Sequence, residues 1–328
     1  MKLTLSILFM LFSLSFLTGC NDDDNDSPNV TTEKNIIETA EAAGSFSILL
    51  TALETADLTD TLEADGTYTV FAPTDAAFER YLSENNLTAD ALLASDQLSD
   101  ILTYHVLSTE VDSTAAISVA TSADNVVDAL NGSPFALSTV DNKLYINQAM
   151  VSTPDVMASN GVIHVIDQVL IPATDSTLSD TTKTIAELVI ELASSDPAEF
   201  SILLQAVQTA GLAGALSDTN ETYTVFAPTD AAFTALLNEL GITASDLLSS
   251  PDLASILTQH VIAGAEIDQI AAYAANGKTV QTLNNDSALS VMIMDGKLTI
   301  EDSAVVIANV KTANGIIHVI DTVIDTVD

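Results

Sequence analysis

The residues best suited to chemistry in this sequence are its four histidines, and they occupy only two kinds of place. His105 and His260 each follow an apolar helical stripe, Leu98, Ile101 and Leu102 in one case and Leu253, Ile256 and Leu257 in the other. His164 and His318 each sit inside an apolar run, with Asp167 or Asp321 three residues later. An imidazole near a carboxylate can ligate a metal or relay a proton. On a strand, however, residues three apart point to opposite faces, so His164 and Asp167 do not easily share a ligand. The competing reading is a buried neutral imidazole hydrogen-bonded to backbone or to a tyrosine. Nucleophilic chemistry finds less support, because the sequence has no Gly-x-Ser-x-Gly elbow, no His-Glu-x-x-His or Cys-x-x-Cys spacing and no Gly-rich phosphate loop. Thr74-Asp75 and Thr229-Asp230 read as helix starts, the threonine capping and the aspartate at the positive helix end, rather than as catalytic acids. The expectation is a protein without catalytic residues, metal or cofactor.

The elements that must hold these residues are written twice. Phe46-Ser47-Ile48-Leu49-Leu50 returns as Phe200-Ser201-Ile202-Leu203-Leu204, and the segment Tyr68 to Phe78 returns unchanged as Tyr223 to Phe233. Asn160 to Asp167 returns, with one Val-to-Ile change, as Asn314 to Asp321. A period of about 155 residues is the size of a whole domain. Between the copies, residues 172–182 are rich in Thr, Ser and Asp and read as a short linker. Each copy runs from helices into strands. Ser250-Pro251-Asp252 offers an N-cap hydroxyl, a proline and an acid before one helix, and Ser95 stands before its counterpart. Strand character follows at Lys143 to Gln148, Ala288 to Met294 and Lys297 to Ile300, with a hairpin turn at Asp295-Gly296. Gly161 to Leu170 and Gly315 to Ile324, apolar on both alternating faces, read as buried interior strands.

Composition narrows the function. Forty-six acidic residues against 8 basic give a net charge of −38, which repels phosphate backbones, so no nucleic-acid partner is expected. The acidity reads as a solvated surface, or as a field that attracts Ca²⁺ or cationic partners. Apolar residues make up 48% of the chain without one Trp, so the cores must be built from Leu, Ile, Val and Ala.

The N-terminus reads as an address. Lys2 precedes an apolar run from Leu3 to Leu17, too short to span a bilayer as a helix, which ends in Leu17-Thr18-Gly19-Cys20. That ending resembles the bacterial lipobox, which implies cleavage before Cys20 and lipidation of its sulfur. Cys20 is the only cysteine, so it has no internal disulfide partner. Residues 1–20 are therefore expected as a lipoprotein signal peptide, and the polar acidic run in residues 21–32 as a disordered tether. Acidic runs at this place resemble surface-export signals of some lipoproteins; periplasmic retention is the other reading.

Three motifs, each present twice and in order, resemble the fasciclin family. They are Thr-Val-Phe-Ala-Pro-Thr-Asp-Ala-Ala-Phe at Thr69 to Phe78 and Thr224 to Phe233, the pairs His105-Val106 and His260-Val261, and Asn-Gly-x-Ile-His-Val-Ile-Asp near the end of each copy. The resemblance covers Glu33 to Val327. It implies an α+β fold with two tandem domains, residues 33–171 and 183–328, each a β-wedge or sandwich covered by several helices. It also implies extracellular adhesion to proteins, matrix or glycans and no known reaction. Animal members use a Tyr-His pair and an Asp-Ile element for contact. The resemblance therefore makes Tyr104, His105, Asp155 and Val156 the candidate contact surface, although the second copy departs from it with Gln259-His260 and Asn309-Val310. His164, His260 and His318 are expected in structural roles alongside Thr74, Asp75, Thr229 and Asp230. The expected protein is a lipid-anchored adhesin of the outer membrane or cell surface, binding an extracellular or envelope protein or glycan, with two copies for bivalent contact. The alternative is a module that captures a small lipid or glycan between sheet and helices.

Overall fold

The computed structural model describes residues 33–196, 198–284 and 288–325. Cys20, the signal segment and the acidic tether lie outside the described residues.

The first repeat opens with helices α1 (Ile36–Ala43), α2 (Ser47–Thr55) and α3 (Thr59–Glu63), then strand β1 (Tyr68–Pro73). Helices α4 (Asp75–Glu84), α5 (Ala89–Leu93) and α6 (Leu98–Tyr104) lead to β2 (Val106–Leu107) and α7 (Ser113–Ala120). Strands β3 (Val126–Asp128), β4 (Pro134–Val140), β5 (Lys143–Ile146), β6 (Ala149–Ala158) and β7 (Gly161–Ile166) complete it. The second repeat follows the same order. It has α8 (Ile185–Ala193), α9 (Ser201–Thr209), a 3₁₀ turn at Ala215–Ser217, β8 (Tyr223–Pro228), α10 (Asp230–Leu240), α11 (Ala244–Leu248), α12 (Leu253–Gln259), β9 (Val261–Ala263) and α13 (Gln269–Ala274). Its last strands are β10 (Lys278–Gln281), β11 (Ala288–Met294), β12 (Lys297–Ile300), β13 (Ser303–Thr312) and β14 (Gly315–Ile320).

In each repeat the strands form one curled sheet, ordered β2-β1-β7-β6-β5-β4-β3 and β10-β11-β12-β13-β14-β8-β9. Among the strands of the described residues, only β1 with β7, and β8 with β14, run parallel. The sheet nearly closes on itself, since Leu130 N–H donates to Val106 O at 2.7 Å and Leu283 N–H to Val261 O at 2.6 Å. Each repeat is thus of the expected α+β class, its β-layer a nearly closed barrel-like sheet covered by helices.

The central strands are largely apolar on both faces because they feed two cores. Val70, Ala72 and Ile163 face the helical core with Phe78, Ile101 and Leu102, whereas Phe71 and Ile166 face the barrel interior with Phe135 and Ile146. Burying each such large side chain contributes about 1.5–3 kcal/mol. The parallel pairing requires a glycine where β7 begins. Gly161 has φ 149°, and a Cβ there would lie 2.0 Å from the Tyr68 carbonyl oxygen; at Gly315 the distance to the Tyr223 oxygen would be 1.9 Å. The Asp295-Gly296 hairpin forms as its sequence predicts, with φ 51° and 75°.

One local expectation changes. Ser250 and Ser95 do not cap their helices, which begin after Asp252 and Gln97 without a side-chain cap bond. Each hydroxyl instead accepts the N–H two residues on, in a turn that precedes the helix. The segment between the repeats, residues 172–182, is seated on the second of them. Ser176 N–H donates to Asn309 O and Asp180 N–H to Lys311 O, both at 2.9 Å, and Asp180 bridges Thr312 in parallel. The repeats also touch directly: Asn125 Nδ2 donates to Ala274 O at 2.9 Å, and Asn276 Nδ2 to Ser138 Oγ at 3.0 Å. Ala136 packs into the apolar cluster of the second barrel.

Candidate functional site

All four histidines are buried and bonded to main chain. His105 Nδ1 pairs with Ile101 O at 2.8 Å, while its Nε2 accepts from Leu170 N–H at 2.9 Å. His260 repeats this with Ile256 O and Ile324 N–H. Each ring thus ties the end of a helix to the segment leaving the closing strand. Burial holds both at a pKa of about 4, so they are neutral at physiological pH. His164 stacks on Phe71 and reaches Val111 O through Nε2 at 2.8 Å; His318 stacks on Phe226 and reaches Ile267 O at the same distance. Burial lowers the pKa of His318, whose Nδ1 has no hydrogen-bond partner. No group of three His, Cys, Asp or Glu that could hold a metal occurs among the described residues.

The motif aspartates act on neighbouring helices. Thr74 and Thr229 cap α4 and α10 as their sequence predicts, accepting from Ala77 and Ala232 N–H. Asp75 reaches further: its carboxylate accepts Ile48 N–H at 2.8 Å and Ser47 Oγ–H at 2.7 Å at the start of α2. Burial pushes its pKa up, but these bonds outweigh burial and leave it lowered. Asp230 does the same for α9 through Ser201 and Ile202 N–H. This explains why the Phe-Ser-Ile-Leu-Leu string recurs beside the Pro-Thr-Asp motif. Asp167 closes the β6–β7 hairpin, accepting Met150 N–H at 2.7 Å, and burial raises its pKa.

Two positions with larger roles than the sequence suggested are Asn160 and Asn314. Asn160 accepts Ile36 N–H at 2.9 Å and donates to Leu62 O and Ala64 O, which ties α1 and the end of α3 to the β6–β7 turn. Asn314 repeats this at Ile185, Leu216 and Asp218. The Asn-Gly pair signalled a turn, but the helices it fastens are distant in sequence.

The expected contact surface divides. Tyr104 and His105 are 0% and 1% exposed, so neither is available to a partner in this fold. Tyr104 packs edge-on against Phe135, donates to Pro134 O at 2.7 Å and accepts from Asn147 Nδ2 at 2.8 Å. Burial raises its pKa well above the usual phenol range. Asp155 and Val156 lie on a bulge of β6, with Asp155 exposed and Val156 half-buried. Asp155 has φ 57°, a left-handed conformation that Asp tolerates. Its carboxylate accepts Ser113 N–H at 2.7 Å and the Ser113 hydroxyl at the start of α7, and its own N–H donates to His164 Nδ1 at 3.3 Å. Burial pushes the Asp155 pKa up, and the Ser113 bonds bring it below the usual range.

In the second repeat the equivalent bulge is covered. Asn309, φ 56°, accepts Gln269 N–H at 2.8 Å at the start of α13, but it is 4% exposed and donates to Thr174 O in the interdomain segment. Ser179 Oγ accepts Lys311 N–H at 2.9 Å, and Lys311 pairs with Asp175 at 3.1 Å. The counterpart of Lys311 is Met157, which is 60% exposed. Among the described residues, none bonds the first repeat's bulge as Ser176 and Asp180 bond the second.

A model of the fasciclin domain matches residues 44–172 and again 198–326. Protein sll1483 of Synechocystis is 41% identical over 140 residues, which cover 42% of this chain and 73% of that protein. The transforming growth factor-beta-induced protein ig-h3 of Sus scrofa is 30% identical over 294 residues, 89% of this chain but only 38% of that protein. A solved domain pair from the insect cell adhesion molecule fasciclin I aligns at 18% identity and a TM-score of 0.37, over 87% of this chain and 98% of that one.

Proposed function

The chain belongs to the fasciclin domain family, and from that premise we propose that it is an extracytoplasmic binding protein, not an enzyme. It is anchored through lipid on Cys20 and adheres to an envelope or extracellular protein or glycan. Its localisation in this reading is the outer membrane or cell surface, with the membrane engaged through the anchor alone. No helix among the described residues is long and apolar enough to cross a membrane. Fasciclin domains occur in adhesion proteins, which supports the general role.

The contact surface in this proposal is the bulge and edge of β6, uncovered among the described residues, from Asp155 to Ala158, with Met157 as its apolar anchor. One observation carries it: the same edge in the second repeat is occupied by the chain's own segment Thr174 to Asp180. A strand edge with unpaired backbone groups is a template for another polypeptide. Val156 is half-buried beneath the edge and Asp155 fixes the bulge through Ser113, so binding falls on backbone and Met157 more than on the carboxylate. Engagement through this surface is monovalent, because the second edge is taken.

The test is capture of envelope proteins and a glycan array with the chain beginning at Asn21, repeated with Met157→Lys. Lysine is the residue the second repeat carries at this place, so the fold tolerates it. Loss of a confirmed interaction in the variant supports the surface, whereas undiminished binding eliminates it.

A further inference from the structure

The cleft formed by the first two helices of a repeat and the turn after them has opposite chemistry in the two copies. In the first repeat it is an open depression lined by Ile37 and Leu50 and rimmed by Glu41, Glu54, Asp57 and Asp60. The positions correspond through the shared Phe-Ser-Ile-Leu-Leu string and through the positive φ that both Asp57 and Gly211 adopt. At the four carboxylate positions the second repeat has Ile190, Gln208, Gly211 and Gly214. In a chain of net charge −38, the whole stretch from Phe200 to Ser217 has no charged residue, whereas Phe46 to Glu63 has four.

Shape differs along with charge. Between α8, α9 and the 3₁₀ turn lies a narrow cavity of about 40 Å³, floored by Val189, Leu203, Val207 and Leu216. It exists because Ala186 and Val207 stand where the first repeat has the larger Ile37 and Leu53, a loss that Val189 for Ala40 only partly restores. His260 lies at its inner end, but both its ring nitrogens are engaged by main chain, so it offers a visitor no bond. A water there would find almost no polar partner, which makes an apolar occupant the better match. At the mouth Ile190 is 46% exposed. Gly214 has helical backbone angles, and a Cβ on it would meet nothing within 4 Å, so neither conformation nor crowding demands glycine there. Its effect is to leave the opening unscreened.

We propose that the second repeat binds a small neutral aliphatic ligand, taking the end of its chain between α8 and α9. An anionic head group is disfavoured by the protein's charge, and a cationic one finds no carboxylate at this rim, unlike the rim in the first repeat. This site is independent of the β6 edge, and either can fail without the other.

The experiment is methyl NMR on the chain beginning at Asn21, which retains all of the described fold, titrated with hexan-1-ol. The expected result is a saturable shift confined to the methyls of Val189, Val207 and Leu212, at least tenfold weaker in Ala186→Ile/Val207→Leu, which restores the residues of the first repeat. Hexanoate is expected to bind at least tenfold more weakly than the alcohol. Absence of a saturable shift, equal shifts in the core of the first repeat, or an unchanged affinity in the refilled variant overturns the site; equal binding of hexanoate overturns its preference for neutral ligands. A second variant, Ile190→Glu, changes only the mouth, and its expected effect is weaker binding without loss of thermal stability.

Discussion

The two repeats keep one frame and spend their differences at two places. Thr74 and Thr229, Asp75 and Asp230, Asn160 and Asn314, and all four histidines make matching bonds to main chain, apart from the free Nδ1 of His318. Among the described residues no segment covers the β6 bulge, whereas Thr174 to Asp180 seal the β13 bulge, and the first helical cleft is acidic where the second is apolar. Residues that fix the fold therefore cannot vary without cost, since each satisfies a buried main-chain group, while the surface positions beside them are free to diverge. A duplicated domain thus separates its architectural residues from its adaptable ones within a single chain.

The largest test of the shared frame is Gly161→Ala against Gly315→Ala. Each forces a Cβ within about 2 Å of a main-chain oxygen at a φ that L residues avoid, so each is expected to destabilise its repeat by more than about 3 kcal/mol. Calorimetry should give equal losses. A loss in one repeat at least twice that in the other would break the equivalence of the two frames. Because the repeats share the Asn125 and Asn276 bonds and the seated segment between them, the wild type is expected to melt in one transition.

Acid sharpens the same comparison. Burial lowers the His105 and His260 pKa values from 6.5 to about 4, so the folded state favours the neutral ring. The sign follows: their contribution is complete above pH 6.5 and is lost as the pH falls towards 4, about 3 kcal/mol for each ring. Asp167 works against this in the first repeat, since its raised pKa lets it take up a proton without leaving the folded state. Urea unfolding between pH 7 and 4 should show the loss, to which His318, also lowered by burial, adds in the same direction, and His260→Gln should reduce the slope by less than about half. An unchanged slope would mean that the ring is not the neutral, buried group described.

How much of this was legible in the sequence follows from the range of each interaction. The duplication, the hairpin at Asp295-Gly296 and the caps at Thr74 and Thr229 depend on residues within a few positions of each other, and they read correctly. Ser95 and Ser250 misled because a hydroxyl before a helix serves a turn as well as a cap. Tyr104 misled for a different reason: an aromatic with a polar tip suits a surface or a core equally, and only Pro134 and Asn147, 30 and 43 residues away, decide that it is buried. The seating of Thr174 to Asp180 was hidden because a Ser- and Thr-rich segment reads as solvated until the strand it borders is known. The apolar cleft was visible as the uncharged run from Phe200 to Ser217, but only against the first repeat does that run stand out.

The smallest expected effect concerns what holds that segment down. Lys311 and Asp175 form an ion pair at 3.1 Å, yet both side chains are more than a third exposed, so solvent and salt screen it. Lys311→Met, which copies the first repeat, is expected to cost under about 0.5 kcal/mol and to leave proteolysis of residues 172–182 unchanged. Asn309→Ala should act more strongly, about 1–3 kcal/mol, because it leaves Gln269 N–H unpaired at the start of α13 and removes the donor to Thr174 O. If the ranking holds, backbone and amide bonds seat the segment, and charge does not. The opposite ranking, with cleavage accelerated by Lys311→Met alone, would make the Lys311–Asp175 pair the main fastening of the segment.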